Sequence, residues 1–236
     1  SMTVDFDRQS LWSRIRDFVS LSPEAARNKY SLGKDARDWR VATAQADLNR
    51  SGPSKELICG ILYRPFDSRF TYYTGNSRGF YASPCRKVMK NMVAGTNLGL
   101  ALSRSVEVGD FGHVFCTDSL IGHHSVSLKE VNYLFPLWLV SSGGAAIRVE
   151  REPGAGQPNL SPQFSRALGE ALSITTYTNL QMPAGLSEED VLYYVYAVLY
   201  SPSYRIRYRE FLKSDFPRLP LPSGRRGLLR VGGSYG

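Results

Sequence analysis

Cysteine is scarce in this chain: Cys59, Cys85 and Cys116 are odd in number, widely spaced and never arranged as C-x-x-C. That pattern offers neither a disulfide framework nor a spaced structural zinc site. It fits the reducing cytosol, so a cytoplasmic location is expected. Histidine is rare too, and His123 and His124 together with Cys116 have the residue types of a metal site. Adjacent loop histidines more commonly face solvent, and no metal is expected. Long apolar runs are missing as well. Nothing approaches the ~20 residues of a membrane span, and no signal peptide opens the chain, so no membrane partner is expected. Ser1-Met2 reads as a tag remnant, and the chain as a piece of something longer.

Catalytic signatures are also absent. There is no glycine-rich phosphate loop ending in Lys-Ser/Thr, no paired-glycine nucleotide turn after a strand and no Gly-x-Ser-x-Gly elbow. The Asn-Pro-Pro-aromatic tetrapeptide with which adenine methyltransferases hold a target amino group does not occur. Nor does the metal-dependent nuclease pattern of proline-aspartate followed by acid-x-lysine, since the nearest acid, Glu56, runs into Leu57-Ile58. Together these gaps point to a chain that binds rather than catalyses, with no catalytic residue and no cofactor of its own.

What is present is an ordinary globular composition, 42% hydrophobic and 21% charged over 236 residues, enough for one large or two small domains. The formal net charge is +8. Summed positive potential steers polyanions to a surface, so nucleic acid is the favoured partner over a basic protein with no such ligand.

Helical signals open the chain. Asp7 can cap a helix carrying Leu11, Ile15, Phe18 and Val19 at helical spacing, and Ser22-Pro23-Glu24 starts a second. A third stretch is predicted from Asp38 to Leu48, and Asn49 to Ser54 breaks the pattern. Strand signals follow at Leu57 to Tyr63, Phe70 to Thr74, Leu98 to Leu102, Phe111 to Thr117 and Tyr133 to Val140, with a short helix from Arg86 to Val93 between them. Ser141 to Pro158 reads as loop. Ser187-Glu188-Glu189-Asp190 and Ser201-Pro202 start the last helices, which end in the extended, proline-rich run from Asp215 to Pro222. The Gly/Arg-rich tail from Arg225 is expected to be partly disordered. The fold class is therefore α+β, a mostly antiparallel or mixed central sheet flanked by N- and C-terminal helices. The organisation expected is a helical connector over 1–50, a main domain over 51–222 and a basic tail over 223–236.

The segment Tyr63-Arg64-Pro65-Phe66-Asp67-Ser68-Arg69-Phe70-Thr71-Tyr72-Tyr73 concentrates arginines, a carboxylate and aromatic rings. One reading is an Arg–Asp pair that staples a strand end beneath tyrosines; the other turns an arginine to phosphate or a guanine edge. A carboxylate would repel phosphate unless neutralised internally. Arg64–Asp67, with Tyr63 and Tyr72, is therefore assigned to the framework and Arg69 to contact. Further candidates for DNA contact are Arg78 in Asn76-Ser77-Arg78-Gly79, and Arg86, Lys87, Lys90 and Asn91 on the following helix. Arg104 at a strand end and His123 and His124 in a loop complete the set. Each of these competes with a plain solvated surface. The tyrosines from Tyr193 to Tyr208 read mainly as core and interface rather than as a stacking platform.

These residues resemble a family. Tyr63-Arg-Pro-Phe-Asp-x-Arg-x-x-Tyr-Tyr73, Asn97-Leu-x-Leu with Ser103-Arg104, Phe111-x-x-Val-Phe-x-Thr-Asp118 and Phe135-Pro-Leu-Trp138 form an ordered succession. It ends in Val195-Tyr-Ala-Val-Leu-Tyr-Ser-Pro-x-Tyr-Arg205 and Glu210-Phe-Leu-Lys-x-Asp-Phe-Pro-Arg218-x-Pro-x-Pro222. The succession is similar to the C-terminal specificity region of Type ISP and related fused restriction–modification enzymes. The resemblance implies a target-recognition domain that reads double-stranded DNA beside an adjacent N6-adenine methyltransferase domain of the parent polypeptide. That parent would use S-adenosylmethionine, and Mg2+ for cleavage. The competing reading is a scaffold that docks the methyltransferase to its neighbours and meets DNA only non-specifically. The Gly/Arg tail after Pro222 departs from the family's usual helical continuation.

Overall fold

Serine or aspartate caps start five of the described helices, and short β-branched or aromatic runs set the longer strands. The computed structural model describes residues 1–93, 96–140, 156–178 and 182–224. Most of the predicted loop after residue 140 and the basic tail from 225 lie outside the described residues. The helices are α1 (Arg8–Ser20), α2 (Pro23–Tyr30), α3 (Val41–Ser51), α4 (Arg86–Met89), α5 (Pro162–Leu172), α6 (Glu188–Tyr200), α7 (Pro202–Arg207) and α8 (Arg209–Ser214). The strands are β1 (Val4–Asp5), β2 (Ile58–Arg64), β3 (Asp67–Tyr72), β4 (Gly99–Ser103), β5 (Val114–Thr117), β6 (Leu120–Ile121), β7 (Asn132–Pro136), β8 (Trp138–Leu139) and β9 (Gln157–Pro158). The class is α+β, as the patterning implies. The strand-rich middle divides between two compact units.

The first unit comprises Ser1–Asn97 and Asp118–Ser125 among the described residues. Asp7 caps α1 by accepting from the Ser10 amide at 2.7 Å. Leu11, Ile15 and Phe18, one face of that helix, are fully buried. Ser22 and Pro23 start α2 as predicted. The helix α3 begins at Val41, later than the predicted Asp38, because its first amide is met from further upstream: Val41 donates to Asp35 at 3.2 Å, while Asp38 is paired with Arg37. Gln45 on α3 donates to the carbonyls of Phe18 and Leu21 at 2.7 and 2.9 Å, satisfying groups that the end of α1 leaves open. These helices pack with Ile58, Tyr72 and Phe80 into one core. Beside them lies a mixed sheet of order β1-β3-β2-β6, antiparallel except for the parallel pairing of β2 with β6.

The second unit holds Leu98–Thr117 with 126–140, 156–178 and 182–224. Its main sheet is antiparallel with β4 in the centre, order β5-β4-β7. Leu100, Leu102 and Val114 face a core completed by Leu168 of α5, Val191 and Leu199 of α6 and Leu212 of α8. The capping box at Ser187 and Asp190 is formed, with both reciprocal bonds present. Ser201-Pro202 starts α7 as predicted, but the helix breaks at Tyr208 before α8 resumes. The proline-rich run is held by two tyrosine hydroxyls: Tyr204 donates to the Arg218 carbonyl at 2.8 Å and Tyr194 to that of Pro220 at 2.9 Å. An extended, proline-locked chain leaves its carbonyls open, and these hydroxyls use them.

Carboxylates in both units are held below their usual range. Glu130 is buried and accepts from the Ser127 hydroxyl, the leading cause, and from the Glu107 amide. Asp110 is lowered by Arg209, Asp17 by Lys29 and Tyr30, and Asp35 by Arg27. A folded-state pKa below the unfolded one gives stability that is complete above about pH 5 and lost as pH falls through the folded value. Thermal melts stepped from pH 6 to pH 3 are therefore expected to show falling stability below about pH 5. Glu130→Gln is expected to shallow that fall; an unchanged profile would remove Glu130 from this account.

Candidate nucleic-acid interface

The hairpin β2–β3 turns through Pro65 and Phe66, pairing Arg64 with Asp67 across the turn. One step inward Leu62 pairs with Ser68, so Tyr63 is the extra residue of a bulge. A bulge twists the strand and re-aims its side chains. Here it sets Tyr63 beneath both arginines: the Arg64 and Arg69 guanidiniums lie 4.5 and 4.2 Å from its ring centroid. Arg69 also lies 4.3 Å from the exposed ring of Phe6. The result is a cation–π ladder along the hairpin.

The ion pair in this ladder differs from the sequence expectation. Asp67 engages Arg69, not Arg64, through the Nε and Nη2 atoms at 2.9 and 2.7 Å. Both side chains lie on β3 two residues apart, on the same face of the strand, and a two-pronged bond to a planar fork wins there. Arg69 holds the Asp67 carboxyl below the usual carboxylate range. Arg64 instead donates to the carbonyls of Tyr63 and His124, at 2.8 and 3.0 Å. Tyr72 belongs to the core, its hydroxyl accepting from the Ser54 amide at 3.1 Å.

Arg64 thereby ties the hairpin to the loop bearing His123 and His124, whose rings are 4.5 Å apart. Ser125 closes this loop, accepting from the Gly122 amide at 2.6 Å and donating to the Leu62 carbonyl. His123 is exposed and His124 half-buried.

A second loop is organised by a residue absent from the sequence-derived candidates. Asp47 sits on α3 with no exposed surface. Its carboxylate accepts from the Thr74 hydroxyl and the Asn76 side chain, both at 2.7 Å, and from the Phe80 amide at 2.9 Å. Gly79 lets this happen: a Cβ there would lie 2.5 Å from the Asp47 Cγ and closer still to an oxygen. The backbone between these anchors turns, with Gly79 donating to Asn76 and Arg78 at φ 58°. Arg78 is thus exposed at the tip of a pinned turn. The turn itself is signalled by the glycines that bracket Gly75 to Gly79, although its anchor is not.

The Arg86 stem packs beside Gly75, which has no side chain to displace it. Arg86 and Lys87 are exposed and Lys90 half-exposed on α4 and its end. That helix is shorter than predicted. Asn91, 5% exposed, turns its amide back onto the carbonyls of Lys87 and Val88, at 3.4 and 2.8 Å, and the chain continues in turns. Among the described residues Arg78, Arg86 and Lys87 make no salt bridge.

In the second unit Arg104 pairs with Asp215 at 2.9 Å and lies 5.8 Å from the Phe216 ring. Phe216 meets Tyr133 and Phe135 of β7 edge-on, at 4.9 and 5.6 Å. Among the described residues no group of three His, Cys, Asp or Glu side chains is placed to hold a metal ion, and no helix is long and apolar enough to cross a membrane.

Solved structures share this fold. A DrdV–DNA complex matches over 98% of this chain at 24% identity and a TM-score of 0.62. The Type ISP restriction-modification enzyme LlaBIII bound to DNA matches over 98% at 18% identity and 0.59. A nuclease-deletion mutant of the Type ISP enzyme LlaGI, in complex with a DNA substrate mimic, matches over 98% at 18% and 0.54. This chain spans 21%, 14% and 19% of those chains, respectively. No curated protein matches it. The family model described as the Type ISP C-terminal specificity domain matches residues 1–229, and this chain belongs to that family.

Proposed function

We propose that this chain reads the sequence of duplex DNA for a restriction–modification enzyme. The observation that carries the reading is the pinned turn: a buried carboxylate and a glycine hold exposed Arg78 in place, beside Arg86 and Lys87. Exposed cations held on rigid backbone, with no salt bridge among the described residues, suit phosphate contacts, which set register on the duplex. The hairpin and the His123 loop would then supply base-edge contacts. DrdV and LlaBIII are bound to DNA in the matched structures, and LlaGI to a DNA substrate mimic, which supports the same partner.

On this reading the parent polypeptide carries an adjacent N6-adenine methyltransferase domain using S-adenosylmethionine, and a nuclease that requires Mg2+. The present chain supplies recognition and no catalytic group, in a cytoplasmic enzyme. A second reading has one observation in its favour. Tyr133 and Phe135, 37% and 42% exposed, form with Phe216 an aromatic face suited to docking another domain. Selection from random duplexes at low salt separates the two: the recognition reading expects a short enriched motif, and the docking reading expects none.

A further inference from the structure

The segment from Phe80 to Pro84 is held at several points along its length. The Phe80 amide donates to the buried Asp47 carboxylate at 2.9 Å, and the Ala82 carbonyl accepts from the Arg78 amide at 3.0 Å. The Pro84 carbonyl accepts from the buried Tyr73 hydroxyl at 2.7 Å, and the Trp39 indole N–H donates to the Phe80 carbonyl at 3.0 Å. Tyr81 is braced by Tyr73, their ring centroids 6.4 Å apart. Gly122 admits the Tyr81 hydroxyl to the His123 loop, since a Cβ there would lie 3.3 Å from it. Within the first unit these groups border a cavity of about 400 Å³, lined in part by Met2, Leu32, Trp39, Tyr81, Ser83 and His123. Its walls are rigid before any ligand arrives.

The lining narrows the chemistry of that ligand. No Asp, Glu, Lys or Arg is among the described residues around the cavity, so it matches neither a cation nor a phosphate. The rings of Trp39, Tyr81 and His123 offer faces to a planar group, and the hydroxyl and imidazole groups offer hydrogen bonds to its edge. The volume is that of a small-molecule site. Burial pushes the Tyr81 phenol up to about 12, so it remains a protonated donor. The cavity therefore suits a neutral heteroaromatic ring. Its position names the source: the Arg78 turn is bonded to its wall at Ala82, and His123 is part of the wall itself.

We infer that this cavity receives a single nucleobase swung out of the DNA stack. The inference rests on the DNA-reading function proposed above and adds a binding site to it. Proteins that hold an extruded base do so by stacking it between aromatic or apolar side chains and bonding its edge. Arg78, exposed on the bordering turn, would meet the adjoining phosphate.

The test uses the 236-residue chain at low salt with a paired duplex, the same duplex with one extra unpaired adenine, and one with an abasic residue replacing that adenine. The wild type is expected to bind the unpaired-adenine duplex about five- to a hundredfold more tightly than the abasic one, the range that stacking on one base supplies. Trp39→Ala removes an aromatic wall, and Ser83→Trp fills the cavity from an exposed position. Each is expected to lose the preference while keeping salt-dependent binding to the paired duplex. Trp39→Phe, which keeps a ring, is expected to retain most of it. Thermal melts show whether Trp39→Ala folds; where it does not, Ser83→Trp decides. No preference in the wild type, or an unchanged preference in Ser83→Trp, overturns the base site and leaves the DNA-reading function standing. Loss of the preference to micromolar free deoxyadenosine also overturns it, because the ligand is then a nucleoside and not a base of DNA. Failure to bind any of the duplexes overturns both.

Discussion

Asp47→Ala is expected to destabilise the first unit by about 3–5 kcal/mol, the cost of stripping an acceptor from several buried donors at once. The Thr74 hydroxyl, the Asn76 amide and the Phe80 backbone N–H all lose their partner, and Thr74 and Phe80 are themselves buried. For a chain of this size that is a fall of about 6–20 °C in Tm. Gly79→Ala attacks the same contact from the other side by placing a methyl group against the carboxylate. The two changes are expected to be non-additive. Once Asp47 is truncated the methyl group has room, so the double variant should be less destabilised than the sum by about 1 kcal/mol or more. Denaturant melts of the four proteins give this coupling. Additivity within about 0.5 kcal/mol would mean that Gly79 is not there to admit Asp47.

The second large effect concerns binding. Replacing Arg78, Arg86 and Lys87 together by alanine is expected to lower duplex affinity about 10- to 100-fold near 0.1 M salt, and to reduce the slope of log K against log salt by about 3. All three are exposed, so thermal stability should change little. The same triple change is expected to weaken all sequences alike, because phosphate contacts carry position rather than sequence. An unchanged salt slope would place the DNA elsewhere on the chain.

Much of the fold is legible in the sequence because its signals are local. The caps at Asp7, Ser22, Ser187 and Ser201 each act within a few residues, and each starts a helix where expected. The helix α5 carries the same signal, Ser161 before Pro162, but that signal is masked by the glycine- and proline-rich stretch it follows. The start of α3 departs from expectation because the carboxylate that meets its first amide, Asp35, acts across an intervening turn.

The candidate site is legible in residue type but not in pairing. Spacing alone allows Asp67 to meet either arginine, and the bulge at Tyr63 decides which, a feature with no signature in the sequence. Asp47 is harder still. On α3 it reads as one more polar residue, and its three partners lie 27 to 33 positions away. Only the assembled fold brings α3 to the glycine-bracketed turn. Arg104, by contrast, stands where a strand end is expected but is paired with Asp215, distant in sequence.

The most direct test of the central claim is selection of random duplex DNA on this chain at low salt, repeated with the Arg78, Arg86 and Lys87 triple-alanine variant. Recognition predicts enrichment of a short motif by the wild type, and the same motif recovered more weakly by the variant. Salt-sensitive retention of all sequences without a motif, unaltered in the variant, would contradict it.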